Sequence, residues 1–161
     1  MNGKVLSFKP VHTAVNPDRE LVFIPEGQEL LTDDQRLVYE LRPPRKGLLE
    51  EIQNGEIEMV IDNIGGDEQT GRVKSGTTRR LYVTHCLVGW KHLYVETGDK
   101  DEDGNQLFDE VLFEKPAGQP GSRTYEEAMM RNFERIPEDH VTGIQKILKA
   151  NSHVEETVEK N

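Results

Sequence analysis

The stretch Leu81–Leu93, LYVTHCLVGWKHL, constrains this chain more than any other. It holds the single cysteine, Cys86, and the single tryptophan, Trp90, within the densest apolar run of a polar sequence. Val83, Cys86, Leu87 and Trp90 stand at i, i+3, i+4 and i+7, the spacing of one stripe on an amphipathic helix. Thr77 or Thr78 would cap its start after a glycine-rich loop through Gly65, Gly66, Gly71 and Gly76. Lys91 and His92 would suit the negative pole at its end. A tryptophan buries more surface than any other side chain, so the other elements are expected to pack around Trp90.

The length of 161 residues suits one domain. Only 34% of the residues are hydrophobic, against 31% charged. Such a thin core implies that part of the chain lies outside it or against a partner. A net charge of -10 argues against nucleic acid as a partner, because phosphate contacts need clustered Lys and Arg. One cysteine permits no internal disulfide and fits a reducing compartment. The start MNGKVLSFKP lacks an apolar signal region and no run reaches membrane-spanning length, so the expectation is a soluble protein made in the cytoplasm, with no membrane partner.

Residues 1–30 carry Pro10, Pro17 and Pro25, which forbid a long helix and favour extended chain. They read as an N-terminal arm. Its apolar pieces, Val5–Phe8 and Leu21–Ile24, have two readings: an edge strand with a surface arm, or an arm in which Phe8, Leu21, Phe23 and Ile24 embrace a neighbouring subunit. Residues 31–151 read as one α+β domain, and residues 152–161 as a charged tail. Within the domain, LVYELR over Leu37–Arg42 reads as a strand ended by Pro43 and Pro44. A short helix follows with Leu48, Leu49 and Ile52, then an alternating strand through Ile57, Met59 and Ile61. Thr124 and Glu127 have capping-box spacing before a helix with Met129, Phe133 and Ile136 on one face. Pro137 restarts the chain into a last helix through Val141, Ile144, Ile147 and Leu148.

Asp99, Asp101, Asp103, Gly104, Asn105 and Glu110 match the spacing D-x-[DN]-x-[DN]-G-x5-E of an EF-hand calcium loop. In that reading Asp99, Asp101, Asp103, Asn105 and Glu110 would surround a hard cation, as the centre of a calcium-dependent binding module. The flanks favour another reading. Gly98 stands where an entering helix should run, and Pro116 leaves no room for an exit helix. An acidic turn joining strands Tyr94–Thr97 and Leu107–Phe113 accounts for the same residues without a cofactor. No catalytic constellation emerges either. Cys86 lies on the apolar stripe, where a buried thiol is inert, and His85 and His92 lack the spacing of a zinc site.

The order VYELRPP, GLLEEIQ, a glycine loop, HCLVGWKHL, an acidic D-x-D-G turn, F-x-x-I-P-x-D and a final I-x-x-I-L helix resembles small virion-morphogenesis proteins of tailed bacteriophages. The resemblance covers roughly residues 37–161, and Val88-Gly89-Trp90 is its best local match. It implies a non-enzymatic protein that acts by protein–protein contact on other phage structural proteins or on copies of itself. Its place would be the virion, as a head, neck or tail component, or alternatively it would be a tail assembly chaperone absent from the particle. That family has no catalytic residues to carry over. The fold expected is α+β, with a small antiparallel sheet, a central Trp-bearing helix and a C-terminal helical pair.

Overall fold

A computed structural model describes residues 18–52 and 70–152. The architecture is α+β. Strands β1 (Leu21–Phe23), β2 (Val38–Leu41) and β3 (Leu87–Lys91) form an antiparallel sheet with β2 in the centre. Strands β4 (Tyr94–Lys100) and β5 (Gln106–Glu110) form a separate antiparallel hairpin. The helices are α1 (46–52), α2 (Thr70–Cys86), α3 (Arg123–Glu134) and α4 (Glu138–Ala150). The strand expected through Ile57, Met59 and Ile61 lies outside the described residues, as does Phe8. Among the described residues no helix is long and apolar enough to cross a membrane.

The tryptophan stands on a strand, not on the helix. Helix α2 ends at Cys86 and the chain passes directly into β3, which carries Trp90. The physical reason is long-range pairing. Strand β2 has two edges; β1 fills one, and Leu87–Lys91 fills the other by pairing Tyr39 with Trp90 and Leu41 with Leu87. Val88 and Gly89 are poor helix formers, so leaving the helix there costs little. Val83, Cys86 and Leu87 are buried in the helix-to-strand arrangement, as a continuous helix would also have had them. At its other end α2 begins at Thr70, so Gly71, Gly76, Thr77 and Thr78 lie inside the helix instead of forming a loop and cap.

Residues 1–30 are not a free arm throughout. Leu21, Val22 and Phe23 pair with Leu41, Glu40 and Tyr39, and Leu21 is buried in the chain's own core. Phe23 stacks on Tyr39 with ring centroids 6.0 Å apart and packs against α4. Extended apolar chain found its cover within the same subunit, as a sheet edge and a helix surface. Leu21 is therefore a core residue and not a partner contact, Phe23 packs half-buried against the same core, and Ile24 at the end of the strand is exposed.

One hydrophobic cluster joins the sheet to the helices. Tyr39, Leu41, Leu87 and Trp90 meet Val83 and Cys86 of α2, Met129 of α3, and Val141, Ile144 and Leu148 of α4. An aromatic series crosses it: Phe23, Tyr39, Trp90 and Phe113, with the last two ring centroids 5.0 Å apart in an edge-to-face contact. The Tyr39 hydroxyl lies 2.9 Å from His140 Nδ1, which satisfies a polar atom beneath the sheet. Helix α3 is capped by Ser122, whose hydroxyl accepts from the Tyr125 N–H, and not by the expected Thr124. Helix α4 starts after Pro137, with Glu138 and Asp139 in its first turn. Arg79 of α2 pairs with Glu138, tying the two helices at the surface.

Candidate protein-contact surface

The β4–β5 hairpin grows out of the end of β3. His92, at φ 61, turns the chain after Lys91, and Leu93 is buried before the hairpin begins. Its base is fastened firmly. Trp90 Nε1 donates to the Val111 carbonyl at 2.6 Å, and the Val111 N–H donates to the Leu93 carbonyl at 2.7 Å. One residue of α3 completes the anchor. Asn132, fully buried, accepts from the Glu114 N–H at 2.9 Å and donates to the Glu114 carbonyl at 2.8 Å. The Glu114 carboxylate accepts from Arg131, which holds it below the usual carboxylate range.

Beyond that anchor the hairpin is exposed along its length. Every residue of β4 is exposed, as are Leu107–Glu110 of β5. Register fixes which side chains share a face. Tyr94 opposes Glu110 and Glu96 opposes Phe108, so Tyr94 and Phe108 stand diagonally on one face. Val95 opposes Asp109, which places Val95 and Leu107 on the other. Leu112, just past β5, is 71% exposed. A two-stranded ribbon with apolar groups on both faces is marginal in water by itself. Exposed apolar side chains clustered in this way are a candidate contact surface.

The tip is the acidic turn. Asp101 accepts from the N–H groups of Asp103 and Asn105 at 3.0 and 2.7 Å and from Asn105 Nδ2 at 2.9 Å. These bonds hold its carboxyl below the usual carboxylate range, the Asn105 side chain first among them. Gly104, at φ 85, takes the left-handed position the turn requires. Asp101, Asp103 and Asn105 are thus brought together at the tip, Asp99 stands on β4 with its N–H on the Thr97 hydroxyl, and Glu110 is remote. It lies at the base opposite Tyr94, with its carboxylate 3.9 Å from His92 Nδ1. At about 3.3 Å per strand residue, β5 carries it roughly 13 Å or more from the turn. The flanking elements are strands and the closing carboxylate is remote, so these residues do not fit an EF-hand. Among the described residues no group of three or more His, Cys, Asp or Glu could hold a metal ion.

Turn chemistry predicts both hairpin strands, but not that their exposed apolar side chains divide between two faces. Tyr94–Val95 and Leu107–Phe108 are consecutive apolar pairs. Adjacent strand residues face opposite ways, so such a pair denies the ribbon a single buried side. That was the available signal.

On the opposite end of β3 lies a cleft of about 720 Å³ between α1, α2 and α3. Arg42, Arg45 and Arg80 line it, with Leu48, Leu81 and Met129 among its apolar walls. Cys86 also lines it, and burial pushes the thiol up to about 12, opposed by the nearby Arg42 guanidinium. A thiol so raised is no nucleophile at neutral pH.

The fold and this surface define a small α+β domain with a projecting, apolar-faced hairpin. No family model, no curated protein and no solved structure matches the chain.

Proposed function

We propose that this protein is a non-enzymatic structural or assembly component of a tailed bacteriophage, acting through protein–protein contacts in the virion after synthesis in the host cytoplasm. The phage setting rests on the sequence resemblance. The mode of action rests on one observation, the exposed hairpin with Tyr94 and Phe108 on one face and Val95 and Leu107 on the other. Its partner is another phage structural protein or a further copy of the chain. Burying such side chains at about 25 cal/mol per Å² of apolar area gives a contact of useful strength once repeated around a particle. The acidic surface supports the reading by keeping subunits soluble and away from DNA.

The test is mass spectrometry of purified particles carrying either the natural chain or a Tyr94→Ser/Phe108→Ser variant. Both substituted positions are more than half exposed, so the variant should keep its circular dichroism spectrum. Stoichiometric incorporation of the natural chain and loss of the folded variant are the expected results. Absence of the natural chain from particles, with retention on tail subunits in the lysate, would favour the chaperone role. Full incorporation of the variant would show that the hairpin is not the contact.

A further inference from the structure

Two features of opposite charge stand at opposite ends of β3. At one end Arg42 and Cys86 adjoin, the Arg42 N–H donating to the Cys86 carbonyl at 2.9 Å, and the arginine-lined cleft opens there. At the other end, after Lys91, the acidic hairpin departs. We propose that the hairpin tip of one copy docks in the cleft of a second copy, so that the chain associates head to tail. This deepens the reading of the hairpin as a contact element, and rests on it, by naming its partner.

The cleft is built for an anionic guest with an apolar body. Arg42, Arg45 and Arg80 make no ion pair with a carboxylate among the described residues. Arg42 keeps its Nε buried without a hydrogen-bond partner. Unpaired guanidinium groups beside a low-dielectric wall are strong sites for carboxylates. Among the described residues the lining also includes Glu51 and Glu126, and the three arginines outnumber them. The volume falls in the range of about 300–1,000 Å³ in which pockets enclose a guest.

The hairpin tip carries the complementary groups. Asp99, Glu102 and Asp103 are exposed, with Lys100 as the neighbouring cation. Asp101 spends its own carboxylate on the turn and so fixes the tip before docking, which lowers the ordering cost of association. Directly behind the charges come Leu107 and Phe108, exposed apolar groups that would meet the wall of the cleft at Leu81, the half-buried apolar side chain there. The two surfaces are different patches of one chain, so the contact is heterologous. Repetition then builds a ring or a filament, the form a repeated particle component takes.

The experiment is sedimentation velocity on the full chain and on two charge-reversed variants, Arg45→Glu/Arg80→Glu in the cleft and Glu102→Lys/Asp103→Lys at the tip. All four positions are exposed, and circular dichroism checks that each variant folds. The natural chain is expected to show species larger than a monomer that grow with concentration and shrink with added salt. Each variant alone should be monomeric, because its tip and cleft repel. Mixed in equal amounts they should assemble again, since each now presents the charge the other lacks. A natural chain that stays monomeric at every concentration, or a mixture that fails to re-form larger species, overturns the proposal. If that happens while Tyr94→Ser/Phe108→Ser still removes the chain from particles, self-docking is wrong and the hairpin as a contact stands. If the charge variants behave as expected but the Tyr94→Ser/Phe108→Ser chain still enters particles, self-docking stands and the particle contact lies elsewhere.

Discussion

The ring of Phe23 lies on Gly143: a Cβ at Gly143 would come within 2.6 Å of Phe23 Cε2 and nearer still to Cζ. That contact locks the first strand of the sheet against the last helix. It also explains a glycine in the middle of α4, where helix propensity alone would favour alanine by about 1 kcal/mol. The ring cannot easily retreat, because Tyr39 stacks on it and His140 meets its edge.

Gly143→Ala should therefore destabilise the protein despite its better helix propensity. Overpacking of this kind costs about 1–3 kcal/mol, which exceeds the propensity gain over most of that range. Urea unfolding of Gly143→Ala, Phe23→Leu and the double variant checks it. The two substitutions should be less than additive, because a smaller residue 23 makes room for the methyl group. An alanine variant more stable than the natural chain would show that Phe23 does not seat there.

Trp90 contributes through both its ring and its N–H. Trp90→Ala should cost about 3–5 kcal/mol, the range for deleting a large buried aromatic. Trp90→Phe keeps much of the packing but leaves the Val111 carbonyl without its indole donor, for about 1–3 kcal/mol. The phenylalanine variant should also speed hydrogen exchange at Val111, measured by NMR, because that carbonyl anchors the hairpin base. Unchanged exchange there would mean the anchor lies elsewhere.

Alkaline pH should weaken the fold. Burial raises the Cys86 thiol from its ordinary 9 to about 12, so between those values the unfolded chain loses a proton that the native one keeps. Stability conferred by the neutral thiol is full below about pH 9 and falls as pH rises towards 12. Tyr39 acts in the same direction from about pH 10 upward, its phenol raised first by burial and then by Asp139. Cys86→Ala should flatten the decline in unfolding free energy over about pH 9–11 relative to the natural chain. An identical slope in the two proteins would mean the thiol is not buried.

Much of this fold was legible in local pattern. The strand Val38–Leu41, the C-terminal helical pair and the acidic turn between two strands all follow from spacing and turn chemistry within a few residues. Trp90 was not legible. Val83, Cys86 and Leu87 face the core whether the chain continues as helix or turns into strand. Only pairing with the distant strand residues Tyr39 and Leu41 decides between them. For Leu21 and Phe23 local pattern left an edge strand and a subunit-embracing arm both open, and the structure shows the edge strand. An apolar extended segment announces that it needs cover, and whether the cover comes from Gly143 of its own chain or from a neighbour is a tertiary matter. The candidate surface emerged only once the hairpin's register divided Tyr94, Val95, Leu107 and Phe108 between two faces.

Hydrogen–deuterium exchange over residues 94–110, in the dilute isolated chain and in the assembled particle, tests the central claim most directly. A ribbon supported only at its base opens readily, so its amides should exchange fast in the isolated chain while those of β2 and α4 stay protected. In the particle the proposed partner would cover both faces, so the same hairpin amides should become strongly protected. Equal exchange of the hairpin in the two states, with new protection on some other surface, would contradict the account.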